Sequence, residues 1–237
     1  MALPSRIYTD DLIDAIDDWQ AGSRDKKRKA ERLITVSKHL PANYRTPPRQ
    51  VFRQVRANAQ LGIGIAVDAI PDFVSSWTTS LKIAQRFRES DQDRTKVLMI
   101  FRRRPAEGDV ILDLNAVYAD PDFMVTVRAV AARLRRSFNG IERWQGTQQE
   151  VVLSETVIAN DAIVSIGAFR DITDIVPTIG NRDPAAPSDA QILKELTGRL
   201  PTEHFWTSPA SAATGIRAAG ERIQGYLKDM QLWPEGI

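Results

Sequence analysis

Residues Gly146–Glu155 read GTQQEVVLSE. Three apolar residues, Val151, Val152 and Leu153, follow two glutamines and a carboxylate. β-Branched residues in a short apolar run favour a strand entering a core. Side chains alternate along a strand, so Gln148 and Glu150 share a face and Gln149 points away. A polar pair at the mouth of a buried strand has two readings. It is the wet end of the strand, or it is the edge of a reactive cleft.

The same spacing recurs upstream. FVSSWTTS reads as a strand with Ser76 and Thr78 on one face, and SLKIAQRFRES after it reads as a helix with Leu81, Ala84 and Phe87 inward. The stretch also admits a plainer reading, a turn and helix cap with Thr78, Thr79 or Ser80 satisfying free amides. Further back, VFRQV is a short strand carrying Arg53, with Arg45, Arg49 and Arg56 nearby as ordinary surface charges. KVLMIFRR and DVILDLNAVY are the clearest strands, joined by RPAEG. In DPDFMVTVRAVAARLRRS, Asp120 is a cap, Pro121 takes the first helical position, and Phe123, Val127, Val130 and Leu134 form the apolar stripe. FNGIERWQG then reads as a loop containing Trp144.

Helices flank this middle region. DDLIDAIDDW places Leu12, Ala15, Ile16 and Trp19 on one face, with Thr9 as cap. The basic run RDKKRKAERL continues into a second helix ending near His39, and Pro41, Pro47 and Pro48 mark a boundary. The glycines of LGIGIAVDAI lack the third glycine of a dinucleotide loop and the lysine of a P-loop. Beyond residue 160, PTIGNRDPAAPSD reads as an exposed connection before two helices, the first with Ser188 and Gln191 as a capping box. The expected division is 1–44, a helical extension packed on the core; 45–160, a catalytic core; and 161–237, a C-terminal helical extension.

Composition narrows the chemistry. With 237 residues and 43% apolar content the chain can bury one sizeable core. No apolar run approaches the roughly 18 residues of a membrane span. The N-terminus turns acidic where a signal peptide is apolar. A cytoplasmic protein without membrane contact is therefore expected. There is no cysteine, which removes disulfides, thiolate metal sites and a cysteine nucleophile. Two histidines, His39 and His204, leave little for a zinc site or a Ser-His-Asp triad. The 32 basic and 30 acidic groups nearly balance, so the basic runs read first as solvated helix faces.

Taken in order, Arg53, then Ser76-Trp77-Thr78 running into a helix, then Gln148-Gln149-Glu150 opening a strand resemble the mono-ADP-ribosyltransferases of the cholera-toxin-like class, in a bacterial or phage branch. The resemblance spans Val51 to Leu153, with Thr78 in place of the second serine of the usual Ser-Thr-Ser. It implies an α+β fold in which two small antiparallel sheets, flanked by helices, form a cleft for NAD. NAD is then a co-substrate, and no metal is expected. Glycosidic cleavage passes through an oxocarbenium-like state. By resemblance Glu150 stabilises that charge and binds the ribose 2′-hydroxyl. Ser76 orients Glu150, Arg53 binds the pyrophosphate through its planar fork, Trp77 lines the NAD site, and Thr78 supports the strand or the nicotinamide pocket.

In that class a glutamate two positions before the catalytic one accompanies arginine acceptors. Gln148 is no base, and its amide suits another amide or a nucleobase edge. The resemblance therefore implies a non-arginine acceptor on a protein or nucleic acid, with Gln148 as a recognition residue; Trp144, in the loop before it, is a second candidate whose plainer reading is a local packing anchor. A toxin, effector or phage enzyme fits it. The rival readings are an NAD glycohydrolase and a non-enzymatic nucleic-acid-binding or interaction module.

Overall fold

The computed structural model describes residues 7–22, 25–58, 70–87, 96–158, 162–169, 205–206, 210 and 212. The protein is a mixed α+β structure with antiparallel strands. It divides into two compact units. One comprises Met1–Val51, Asp72–Ile83 and Arg103–Thr156, and the other Phe52–Pro71, Ala84–Arg102 and Val157–Ile237. This cuts across the expected boundaries. The N-terminal helices share a unit with the Gln-x-Glu segment, and residues 45–160 fall in both units.

In the first unit β5 (Val110–Asp113), β6 (Glu150–Leu153) and β3 (Ser75–Thr78) lie side by side, antiparallel, with β6 in the middle. All four β6 residues are buried, which explains the unbroken apolar run after Glu150. One apolar cluster joins β5 and β6 to α1 (Asp10–Gln20), α2 (Lys26–Ser37), α4 (Leu114–Ala119), α5 (Pro121–Leu134) and α6 (Asn139–Trp144). Leu12, Ile13 and Ile16 of α1 are at most 1% exposed within it. Burying each contributes about 1.5–3 kcal/mol. α1 is thus an integral wall of this unit, where the sequence suggested an added layer.

The caps fall where their chemistry places them. Thr9 Oγ1 accepts the Leu12 amide at α1, and Asp120, with Pro121 following, accepts the Asp122 amide at α5. Leu134, assigned to the α5 stripe, is exposed, as is Phe87 after α3 (Leu81–Arg86), where only Ala84 is buried. DVILDLNAVY is a strand only as far as Asp113. There the Asp113 carboxylate accepts the Asn115 and Ala116 amides and starts α4. FNGIERWQG is the short helix α6 instead of a loop.

In the second unit the strand order is β1 (Val51–Asn58, its first residue belonging to the other unit), β4 (Lys96–Arg103, its last residue belonging to the other unit), β8 (Ile163–Phe169) and β9 (Phe205–Trp206). The pairs β4–β8 and β8–β9 are antiparallel. Two short strands, β2 (Ile70–Asp72) and β7 (Thr156–Ile158), form a separate pair. The glycine-bearing stretch at 61–69 and the C-terminal helices expected after Ser188 lie outside the described residues. Among the described residues, no helix is long and apolar enough to cross a membrane.

Candidate active site

β3 and β6 pair with Thr78 opposite Glu150 and Ser76 opposite Val152. Residues opposite one another share a face, so Ser76 is the diagonal neighbour of Glu150 on the same side of the sheet. The Ser76 hydroxyl donates to Glu150 Oε1. The orientation that the resemblance implied for Ser76 and Glu150 is therefore present as a direct hydrogen bond.

The carboxylate is held from a second direction that sequence reading missed. The Trp19 indole N–H donates to Glu150 Oε1 at 2.9 Å and lies 3.1 Å from Ser76 Oγ. Gln20 Nε2 donates to Glu150 Oε2 at 3.1 Å. Glu150 is only 5% exposed, and among the described residues every group donating to its carboxylate is neutral. Burial without donors would penalise the ion by several kcal/mol, and donors offset that penalty. Tyr118 completes the set. Its hydroxyl donates to Gln20 Oε1 at 2.6 Å, and burial followed by the nearby Glu150 charge pushes its ionisation well upward, so it remains a donor. The Asn115 side chain reaches the Glu150 carbonyl at 3.4 Å.

α1 is fastened where these donors sit. Asp17 Oδ1 accepts the Gly140 and Ile141 amides at 2.7 and 3.1 Å, serving the exposed amides at the start of α6. Burial raises the Asp17 ionisation despite those bonds. Burial likewise raises that of Asp113, outweighing its amide partners at α4. Trp144 is the last residue of α6, and its indole donates to the Gln20 carbonyl at 3.0 Å, with the Arg143 guanidinium 4.7 Å from its ring. It is half-buried and anchors α6 to α1, so its position in a recognition loop is corrected to a helix end.

The other expected residues fare differently. Gln148 is in a turn, not on the strand, and Gln149 has φ 47°, so the alternation argument does not reach them. Strand geometry begins at Glu150. The Gln148 carbonyl accepts the Thr78 hydroxyl at 2.8 Å, and its half-buried side chain precedes the carboxylate by this kinked turn. The Gln149 carbonyl accepts the Thr79 amide at 3.1 Å, and its side chain accepts the Thr79 hydroxyl at 3.3 Å. Thr78 is 4% exposed and also accepts the Ser80 amide, so it serves the backbone at the strand end. Trp77 is 2% exposed and donates to Ser75 Oγ. Its ring belongs to the interior. Arg53 lies half-buried on β1, in the second unit, while Ser76, Glu150, Gln148 and Trp144 all lie in the first.

Trp19 and Gln20 had a faint sequence signal. A tryptophan closes the apolar stripe of α1, and a glutamine beside it ends the helix, where an indole N–H and a primary amide need partners if buried. Comparison of the chain with family models, with characterised proteins and with solved structures returned no match.

Proposed function

We propose that the protein is a mono-ADP-ribosyltransferase that cleaves NAD and transfers ADP-ribose to a non-arginine acceptor on a macromolecule. The observation that carries this reading is the Ser76–Glu150 hydrogen bond across β3 and β6, in the order of the Ser-x-Thr and Gln-x-Glu motifs and with Glu150 opening its strand. A fixed carboxylate that retains acceptor capacity suits a ribose hydroxyl and a positive charge developing beside it.

Glu150 accepts from the 2′-hydroxyl and stabilises the anomeric centre as the N-glycosidic bond breaks. The bonding pair leaves with nicotinamide, which departs neutral. The acceptor's nucleophilic atom forms the new bond to the anomeric carbon and gives its proton to solvent. Ser76 keeps the carboxylate oriented. Arg53 enters as the pyrophosphate ligand on resemblance alone, and Gln148 favours an amide or nucleobase acceptor over a guanidinium.

The test is NAD labelled in the ADP-ribose portion, incubated with cell lysate and the protein. Label should pass to macromolecules, and Glu150→Gln should slow this at least a hundredfold. Protease and nuclease treatment then sort protein from nucleic-acid acceptors. Release of free ADP-ribose alone would identify a glycohydrolase. Equal NAD consumption by Glu150→Gln would refute the assignment.

A further inference from the structure

We infer that the last turn of α1 belongs to the catalytic apparatus: Trp19 and Gln20 are positioning residues that aim the Glu150 carboxylate and leave one acceptor direction, on Oε2, for the substrate. This rests on the reaction proposed at Glu150.

The inference begins with a count of lone pairs. Each carboxylate oxygen accepts about two hydrogen bonds. Oε1 already receives the Trp19 indole and the Ser76 hydroxyl. Among the described residues, Oε2 receives only the Gln20 amide. One acceptor position therefore remains, and it is on Oε2. A ribose hydroxyl that meets this carboxylate meets that oxygen.

The donors are fixed in kind as well as in place. An indole N–H can only donate. The Gln20 amide could present either end to Glu150, but its oxygen takes the Tyr118 hydroxyl, which turns the NH2 toward the carboxylate. All are neutral, so they orient the anion without cancelling the charge that must face the reacting sugar.

The helix that carries them is anchored by packing and hydrogen bonds. Leu12, Ile13 and Ile16 are buried in the apolar cluster. Asp17 accepts two amides of α6, and Trp144 holds the Gln20 carbonyl. Positioning groups work best on such elements. A helix buried this deeply is poorly suited to the opposite role, a plug that leaves to expose Glu150, because each buried aliphatic opposes its departure.

Trp19→Phe and Gln20→Met remove a donor each while keeping bulk, and Gln20→Met carries the test if Trp19→Phe does not fold. Steady-state NAD turnover should show kcat reduced about tenfold to a hundredfold in either variant, as expected for loss of a hydrogen bond to a charged group. KM for NAD should stay within about twofold, and Tm should hold. In the parent, the Trp19 indole 1H–15N resonance should move on Glu150→Ala. A parent that turns over no NAD overturns the proposed function and this inference with it. An active parent whose variants keep kcat, or exceed it as a plug would require, overturns this inference alone. So does a fall in kcat matched by losses in Tm and NAD affinity, or an indole resonance indifferent to Glu150→Ala.

Discussion

Gly140→Ala is expected to destabilise the protein, although alanine is the better helix former. In α6 the exchange gains at most about 1 kcal/mol of helix propensity, and less in a first turn. Against this, a Cβ at position 140 would meet the Asp17 carbonyl oxygen at 2.4 Å and the Ala21 amide nitrogen at 2.7 Å. Both are backbone atoms of α1 and its C-cap, so no flexible side chain can yield. Overpacking of this kind costs about 1–3 kcal/mol. The shift that relieves it also stretches the two amide bonds to Asp17, each worth about 1.5–3 kcal/mol when the acceptor is charged. A net loss of about 3 kcal/mol follows, lowering Tm by roughly 6–12 °C for a chain of this size. Thermal unfolding followed by circular dichroism measures it, with Gly140→Ser expected to behave similarly. A Gly140→Ala protein melting within 1 °C of the parent would refute the close approach of α1 and α6.

Three further outcomes follow from described contacts. Tyr8 and Tyr44 both donate to Asp120 Oδ2, at 2.6 and 2.5 Å, and hold its ionisation below the usual carboxylate value. Its folded-state value is depressed, so the stabilisation is complete above the unfolded value of about 3.8 and is lost as pH falls through the lower folded one. Tyr44→Phe should therefore lower Tm at pH 7, and the gap to the parent should narrow below pH 3.8 in a pH series of melts. Arg136 pairs with Asp14 and lies 4.5 Å from the Phe138 ring, but it is exposed. Arg136→Ala should cost at most about 1 kcal/mol, with its ionic part gone in 1 M salt. Thr78→Val removes the donor to the Gln148 carbonyl and the acceptor for the Ser80 amide. Urea unfolding should show a loss of about 1–3 kcal/mol without a changed slope.

Local signals were legible where the cause is local. Thr9, Asp120 and Pro121 announce helix starts because capping involves only the next few amides. Val151 to Leu153 announce a buried strand because the central strand of a sheet needs apolar side chains on both faces. Asp113 shows the limit. Its neighbours look like strand residues, and its carboxylate converts the next six into α4. Alternation failed at Gln148 because the left-handed Gln149 cannot be read from two consecutive glutamines. Ser76 and Glu150 were legible as a pair through motif order. The partners of Trp19, Gln20 and Tyr118 were not, because contacts spanning 98 to 131 positions leave no periodic trace.

The indole–carboxylate bond between Trp19 and Glu150 closes over 131 positions. On a growing polypeptide, α1 emerges early and must wait for β6 before its terminal tryptophan and glutamine find their acceptor. Closing so long a loop is an entropic expense met only by the hydrophobic docking that comes with it. Any catalysis that depends on this carboxylate is thereby deferred until most of the first unit has been synthesised and assembled, and a nascent fragment ending before Glu150 carries Trp19, Gln20 and Ser76 without the carboxylate they hold.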